Sequence, residues 1–370
     1  MKKILFSLLL LGAVTSCIYS YDPDISDSEV NDILVVDGEI IIGDTSVFQL
    51  SRVSSITETV PATPRGRAWV EDDAGNRYNS LGKVSAHIIV PTESAPMDRR
   101  YRAHILVDDQ EYVSEWLSPK PAPVIKDVHF TADEANVHVQ ATLDAGEEGT
   151  GYIGINFEET WEFHSEFEVE YTINTKTWQY DNFLEDYPYY WCFMYQEPSD
   201  MFLINYSKHQ GTLIHDRTIR SFPRSNNRNH KKYSILVKAR ALSKEAFTYR
   251  DYIQSMTNTG GDLFTPEPGT LNGNLHCESD ENRQVLGLVQ ASVVSSKRAF
   301  MGAEYLIERA PDESILQGIP DNMRKIYYEL GYRPVKQIPY GGNMVVGWGP
   351  ERCINCIVAG GVQKQPSYWN

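Results

Sequence analysis

Asn136-Val137-His138-Val139-Gln140-Ala141-Thr142-Leu143-Asp144 is the stretch that decides the fold class. Val137, Val139, Ala141 and Leu143 alternate with His138, Gln140 and Thr142. Strict period-two patterning is what an antiparallel strand needs when one face is buried and the other is wet. Phe167, Val169, Tyr171 and Ile173 alternate in the same way with Glu166, Glu168, Glu170 and Thr172. Residues two apart on a strand share a face, so Glu158, Glu159, Glu162 and the 166/168/170 row read as a solvent side rather than as paired catalytic carboxylates.

Upstream, the pattern repeats as short strands between turns. Ile33-Leu34-Val35-Val36 is a buried run, and Thr45 to Arg52 carries Val47, Phe48 and Leu50. Ala68-Trp69-Val70 enters the turn cluster Asp72 to Asn76, which lacks the spacing of a calcium loop. Tyr101, Ala103, Ile105 and Val107 alternate again. Residues 33–117 are expected to form an immunoglobulin-like β-sandwich. Ser118-Pro119-Lys120-Pro121-Ala122-Pro123 reads as a stiff linker over 118–123. Residues 124–370 then form a larger antiparallel, β-rich domain with one or two helices. Ser243 caps the first helix, Lys244 to about Thr257, which Gly260-Gly261 closes. Asp321 to Leu330 is the second.

The start of the chain carries an address. Lys2-Lys3 precede an apolar run, Ile4 to Val14, and then Val14-Thr15-Ser16-Cys17. A small residue directly before a cysteine resembles a bacterial lipobox, so residues 1–16 are expected to be removed and Cys17 to be lipidated. One acyl chain holds a protein only marginally, and each buried CH₂ adds about 0.8 kcal/mol, hence the several chains of such anchors. Residues 17–32, with Asp22, Asp24, Asp27, Glu29 and Asp32, read as an acidic tether. The formal charge is −16, and loss of the two leader lysines takes it to −18, which argues against nucleic acid as a partner.

Once Cys17 is lipidated, Cys192, Cys277, Cys353 and Cys356 remain as disulfide candidates, with three possible connectivities. Cys353-Ile354-Asn355-Cys356 reads as a structural disulfide element rather than a redox or zinc motif. The nine histidines are scattered and no catalytic or metal-binding motif is present, so no catalytic residues, metal or cofactor are expected.

The most distinctive surface candidate is Trp178 to Tyr195, with Trp178, Tyr180, Tyr187, Tyr189, Tyr190 and Trp191 as binding candidates. Exposed aromatic groups bury large area at low entropy cost and suit sugar rings, peptides or proteins. The competing reading packs these rings onto the sheet around Cys192. Pro223 to Lys232 is a basic loop with Arg224, Arg228, His230, Lys231 and Lys232. It reads as a solvated hairpin loop, with contact to an acidic partner or lipopolysaccharide phosphates as the alternative.

The order of these pieces is familiar. It runs from the lipobox and Leu34-Val35-Val36-Asp37-Gly38 to Tyr233-Ser234-Ile235 and Leu242-Ser243-Lys244-Glu245-Ala246. It continues through Phe264-x-Pro266-x-Pro268, Gly273-Asn274 and Val285-Leu286-Gly287, and ends with Cys353-x-x-Cys356, Gly360-Gly361 and Pro366-x-Tyr368-Trp369. This resembles a family of Bacteroidota outer-membrane lipoproteins, domain of unknown function 4249. The resemblance implies an accessory role in uptake beside a TonB-dependent transporter. The main expectation is a surface-exposed outer-membrane lipoprotein that serves such a transporter as a substrate-capturing or structural subunit, with a glycan or peptide as the ligand suited to the aromatic cluster. It supplies no catalytic residues. The rivals are a surface hydrolase acting on glycan or peptide and an adhesion or envelope-assembly lipoprotein.

Overall fold

A computed structural model describes residues 33–53, 63–147, 149–183, 187–198, 200–259, 273–307 and 310–369. The leader, Cys17, the 17–32 tether, the Gly260-Gly261 helix stop and the Phe264–Pro268 motif lie outside the described residues. In chain order the strands begin with β1 (Leu34–Ile41), β2 (Thr45–Arg52), β3 (Gly66–Asp72), β4 (Arg77–Asn79), β5 (His87–Pro91), β6 (Tyr101–Val107) and β7 (Gln110–Ser114). Next come β8 (Val124–Ala132), β9 (Asn136–Asp144), β10 (Tyr152–His164), β11 (Tyr171–Ile173), β12 (Tyr180–Asn182), β13 (Trp191–Gln196), β14 (Phe202–Asn205), β15 (Leu213–Pro223) and β16 (Lys232–Ala241). After helix α1 (Lys244–Thr259) follow β17 (Leu275–Cys277), β18 (Val285–Ser292), β19 (Ser295–Phe300) and β20 (Gln317–Gly318). Helix α2 (Arg324–Glu329) precedes β21 (Tyr332–Tyr340) and β22 (Asn343–Pro350).

The N-terminal unit is a sandwich of two sheets, β18-β1-β2-β5 and β17-β7-β6-β3-β4. Leu34, Val36 and Phe48 from one sheet meet Val70, Tyr101, Ile105 and Tyr112 from the other in one fully buried core. Each such side chain contributes about 1.5–3 kcal/mol of burial. Contrary to the expectation from sequence, residues 33–117 do not close this unit by themselves. β18 pairs in parallel with β1 from Leu34↔Val285 to Ile41↔Ser292, and β17 pairs with β7. The prolines of the linker hold it extended along β18, where Val293 N donates to Lys120 O (3.1 Å) and a parallel bridge joins Lys120 to Ser292. The linker therefore closes a sheet edge rather than acting as a free spacer.

The middle unit is a second sandwich. β9, the alternating stretch, lies between β8 and β15, with Val137, Val139, Ala141 and Leu143 all fully buried. They face Ile153, Ile155, Tyr233, Ile235 and Val237 of a sheet ordered β13-β10-β16-β19, to which β14 adds beside β10. A smaller C-terminal unit packs the β20-β22-β21 sheet and the β11-β12 hairpin around Trp348, Val335 and Ile338. The 166–173 row is regular strand only over Tyr171–Ile173. Its faces alternate as expected, but Phe167 N and Glu170 N donate singly to Cys353 O and Val335 O, so no ladder forms before Tyr171.

Ser243 caps α1, its hydroxyl accepting from Ala246 N (3.0 Å), and Gly331 follows α2 with φ +85°. α1 lays Ala246 against Leu242, Met201 and Leu288, at the Tyr152 end of β10 where the two sandwiches meet. Two ion pairs cross the same junction, Glu39 with Arg240 and Asp37 with Arg250.

Candidate functional site

The aromatic stretch divides into two groups. Trp178 and Tyr180 belong to the C-terminal unit. The Trp178 ring sits edge-on to Tyr328 (5.9 Å), and Arg324 lies 4.0 Å over Tyr180, whose hydroxyl accepts from Trp348 Nε1 (2.9 Å). Both are half-buried packing rings, and their separation from the rest follows from the turn at Asn174, which sends β12 back onto β11. Tyr187, Tyr189, Tyr190 and Trp191 stay together through edge-to-face contacts of 5.5 Å (Tyr187–Tyr189) and 5.2 Å (Tyr190–Trp191). Burial pushes the Tyr187 and Tyr190 hydroxyls above their ordinary pKa. Tyr189 and Trp191 are exposed, as is Tyr195 further along β13. Lys231 covers one face of Trp191 at 3.9 Å while pairing with Glu162 (2.6 Å).

The cysteines fix this edge. Cys192 and Cys356 form a disulfide with a Cα–Cα distance of 5.7 Å. Closing a loop of 164 residues restricts the unfolded chain, an effect of about 5 kcal/mol in the chain-entropy account. Cys277 and Cys353 carry free thiols, which corrects the expectation that all four cysteines bridge. Cys277 is buried in the N-terminal sandwich beside Ser279 Oγ (3.4 Å). Cys353 packs among Phe167, Val335 and Leu316, whereas Cys356 enters the middle core, so the C-x-x-C residues serve two different cores. Burial raises the Cys353 thiol, against the neighbouring Arg352. Among the described residues no three His, Cys, Asp or Glu side chains come together as a possible metal site.

The structure also assigns two carboxylates that the sequence reading misplaced or passed over. Glu159 is buried, not on the solvent side. Its Oε1 accepts from Arg228 Nε (2.9 Å) and Tyr233 Oη (2.8 Å), and its Oε2 accepts from Arg228 Nη2 (3.2 Å) and approaches Arg220 Nη2 (3.2 Å). Burial and the Glu159 charge hold the Tyr233 hydroxyl well above its ordinary value. Arg228 is itself buried, lying 4.0 Å over Trp161, so the basic loop is anchored through its middle rather than solvated throughout. Glu39 receives Arg240, Gln290 Nε2 (3.0 Å) and Ser292 Oγ (2.6 Å) at the junction of the sandwiches. Desolvation lowers Arg240 to about 10. In both networks the carboxylate oxygens are engaged by donors far from the carboxylate in sequence, an arrangement suited to joining sheets.

A cleft of about 460 Å³ opens at the same junction, where Trp116, Lys120, Glu245 and Asn274 are among the lining residues. A second, of about 580 Å³, lies beside Arg224 and His230. Neither adjoins Trp191 or Tyr189 through its lining residues. The C-terminal tail packs over the outer face of the β10-β16 sheet. Trp369 Nε1 donates to Glu162 Oε2 (3.2 Å), Tyr368 Oη meets Thr160 Oγ1 (2.9 Å), and Arg298 stacks 3.6 Å over Tyr368. Among the described residues no helix is long and apolar enough to cross a membrane.

Compared with known proteins, residues 18–298 match the family model described as a domain of unknown function, DUF4249. Strands β20 to β22 and the tail after them, with Cys353 and Cys356, follow the matched region, whereas the β11-β12 hairpin lies within it. No curated protein matches the chain.

Proposed function

The chain belongs to the DUF4249 family, and on that premise we propose that it is an outer-membrane lipoprotein, anchored through Cys17 and surface-exposed, that serves a TonB-dependent nutrient transporter as an accessory subunit. The observation that carries the reading is the leader: Lys2-Lys3, the apolar run to Val14, and Ser16-Cys17. An apolar run this short falls below the roughly 20 residues a spanning helix needs, while a lipidated cysteine supplies the anchor instead. A role in binding rather than hydrolysis is supported by the use of Glu159 and Glu39 in ion-pair networks and by the exposed rings of β13. Hydrolysis of a glycan by a carboxylate pair needs groups free to exchange protons and, for most such enzymes, about 5–9.5 Å apart across an open site.

The test is recovery of the tagged protein from detergent-solubilised outer membranes. Co-purification of a TonB-dependent transporter is the expected result, and recovery without one overturns the reading. The anchor is tested separately. Cys17→Ala moves the protein into the soluble fraction, and retention in the membrane fraction overturns the lipid assignment.

A further inference from the structure

Two segments far apart in sequence, 187–196 and 352–369, lie side by side as one surface. Cys356 N donates to Tyr189 O (2.9 Å), Phe193 and Val362 exchange backbone hydrogen bonds (2.7 and 2.8 Å), and Tyr195 Oη donates to Lys364 O (3.1 Å). The Cys192–Cys356 disulfide ties them covalently. Along this seam Tyr189, Trp191, Tyr195, Ile357, Val358 and Val362 are each 38–54 % exposed. Large apolar residues scattered singly over a surface are ordinary, whereas six on two abutting segments are a patch.

The charge pattern is equally uneven. Fifty of the 370 residues are Asp or Glu, yet neither segment contains one. Their only formal charges are Arg352 and Lys364, and Lys231 sits over Trp191 beside them. Of the acids at its borders, Glu351 pairs with Arg333 and Glu162 is engaged by Lys231 and Trp369, while Glu197 follows β13 and Glu166 and Glu168 lie on the Tyr190 side. Trp, Tyr and Arg, with acids depleted, is the composition of the energetic centre of a protein–protein interface.

From this we infer that the seam is a docking surface for a partner protein whose contacting face presents apolar side chains rimmed by carboxylates. A symmetric contact with a second copy would set Arg352 and Lys364 against cations of the same patch, which is unfavourable. A sugar ring stacked on the face of Trp191 that Lys231 covers would have to displace it. The seam is far from the point at which the tether enters. The N-terminal unit, where the tether enters, meets the middle unit at the Tyr152 end of β10. The seam lies at the His164 end, a strand length of 13 residues or about 40 Å away. The inference deepens the accessory-subunit reading and rests on it only for the existence of a partner.

The experiment places a photo-crosslinking phenylalanine analogue at Val358 and at Tyr195 in the full-length protein in cells, with Val124, exposed on β8, as control. Both seam positions are expected to crosslink the same foreign polypeptide, and the control is not. Ile357→Glu with Val358→Glu, at exposed turn positions, is expected to cut recovery of that polypeptide about tenfold with circular dichroism unchanged. Arg352→Glu with Lys364→Glu is expected to cut it further at low salt than at high salt. Adducts only with lipid or with a second copy, the same adduct from Val124, no adduct, or recovery unaffected by the variants each overturn the inference. A crosslinked polypeptide that is not a transporter leaves the docking surface standing and removes the transporter reading. A co-purifying transporter retained by all variants does the reverse.

Discussion

Glu159 shares its flank of β10 with Ile153, Ile155, Phe157, Trp161 and Phe163, so the alternation that buries those side chains carries one carboxylate into the core with them. Arg228 offsets that burial at short range, and removing it leaves a buried charge with its best donor gone. Arg228→Ala is therefore expected to destabilise the protein by about 3–5 kcal/mol, measured by urea unfolding. Arg228→Ala combined with Glu159→Leu recovers part of the loss, because the pair and not the cation alone is then absent. At the surface, Asp133 closes the β8–β9 turn. Its carboxylate accepts from Asn136 N (2.6 Å), His138 Nε2 (3.0 Å) and Ala135 N (2.8 Å). These donors, the Asn136 amide foremost, lower it from 3.8 to about 2. A lowered folded-state pKa stabilises above the unfolded value and loses that contribution as pH falls through the folded one. Asp133→Asn is thus expected to lower the urea midpoint at pH 6, with the deficit shrinking between pH 4 and pH 2. The burial of Glu159 was legible in the spacing 153–163 alone. It was obscured by reading Glu158, Glu159 and Glu162 as one acidic group instead of assigning each to its face.

At the scale of elements, local pattern and long-range pairing part company. β9, α1 and the Asp72–Asn76 turn could be read from the chain because alternation, capping and turn residues act within a few positions. The pairing of β1 with β18 could not, since a parallel partner some 250 residues away leaves no mark on either strand. Nor could the choice of Cys192 for Cys356, which depends on β13 lying against the 356–364 segment. The row at 166–170 failed for a related reason: side-chain alternation persists in extended chain even where no neighbour completes a ladder. β1 and β18 are held very close at Gly287, which has φ +110° and where a Cβ would lie 1.9 Å from Val36 O. Gly287→Ala is expected to destabilise by more than about 3 kcal/mol. Gly75→Ala, at φ +84° in open space, is expected to cost only about 1–2 kcal/mol. A comparison of their urea midpoints by tryptophan fluorescence decides the point.

The whole molecule is two sandwiches and a C-terminal unit whose boundaries do not follow the order of the chain. Residues 275–292 leave the second half to complete the first sandwich, and 356–369 return from the C-terminal unit to pack on the middle one. A fragment ending at the linker lacks two strands, β17 and β18, one at an edge of each N-terminal sheet, with Val289 and Cys277 missing from the core. Residues 33–117 produced alone are expected to show no cooperative thermal transition by circular dichroism. A cooperative transition would mean that seven strands suffice. The candidate surface shows the same non-sequential logic. Its aromatic half was visible in the sequence as a cluster, while its aliphatic half, Ile357 to Val362, gave no signal until the disulfide placed it alongside.

The β1–β18 pairing also imposes an order in time. β1 is made first and its partner some 250 residues later. At synthesis rates of about 5–20 residues per second, roughly 12–50 seconds pass before β18 exists. For that interval the first sandwich lacks an edge strand, so the segment nearest the N-terminus is among the last to be finished. A chain that delays its own completion in this way keeps its first sandwich open until β18 has been made.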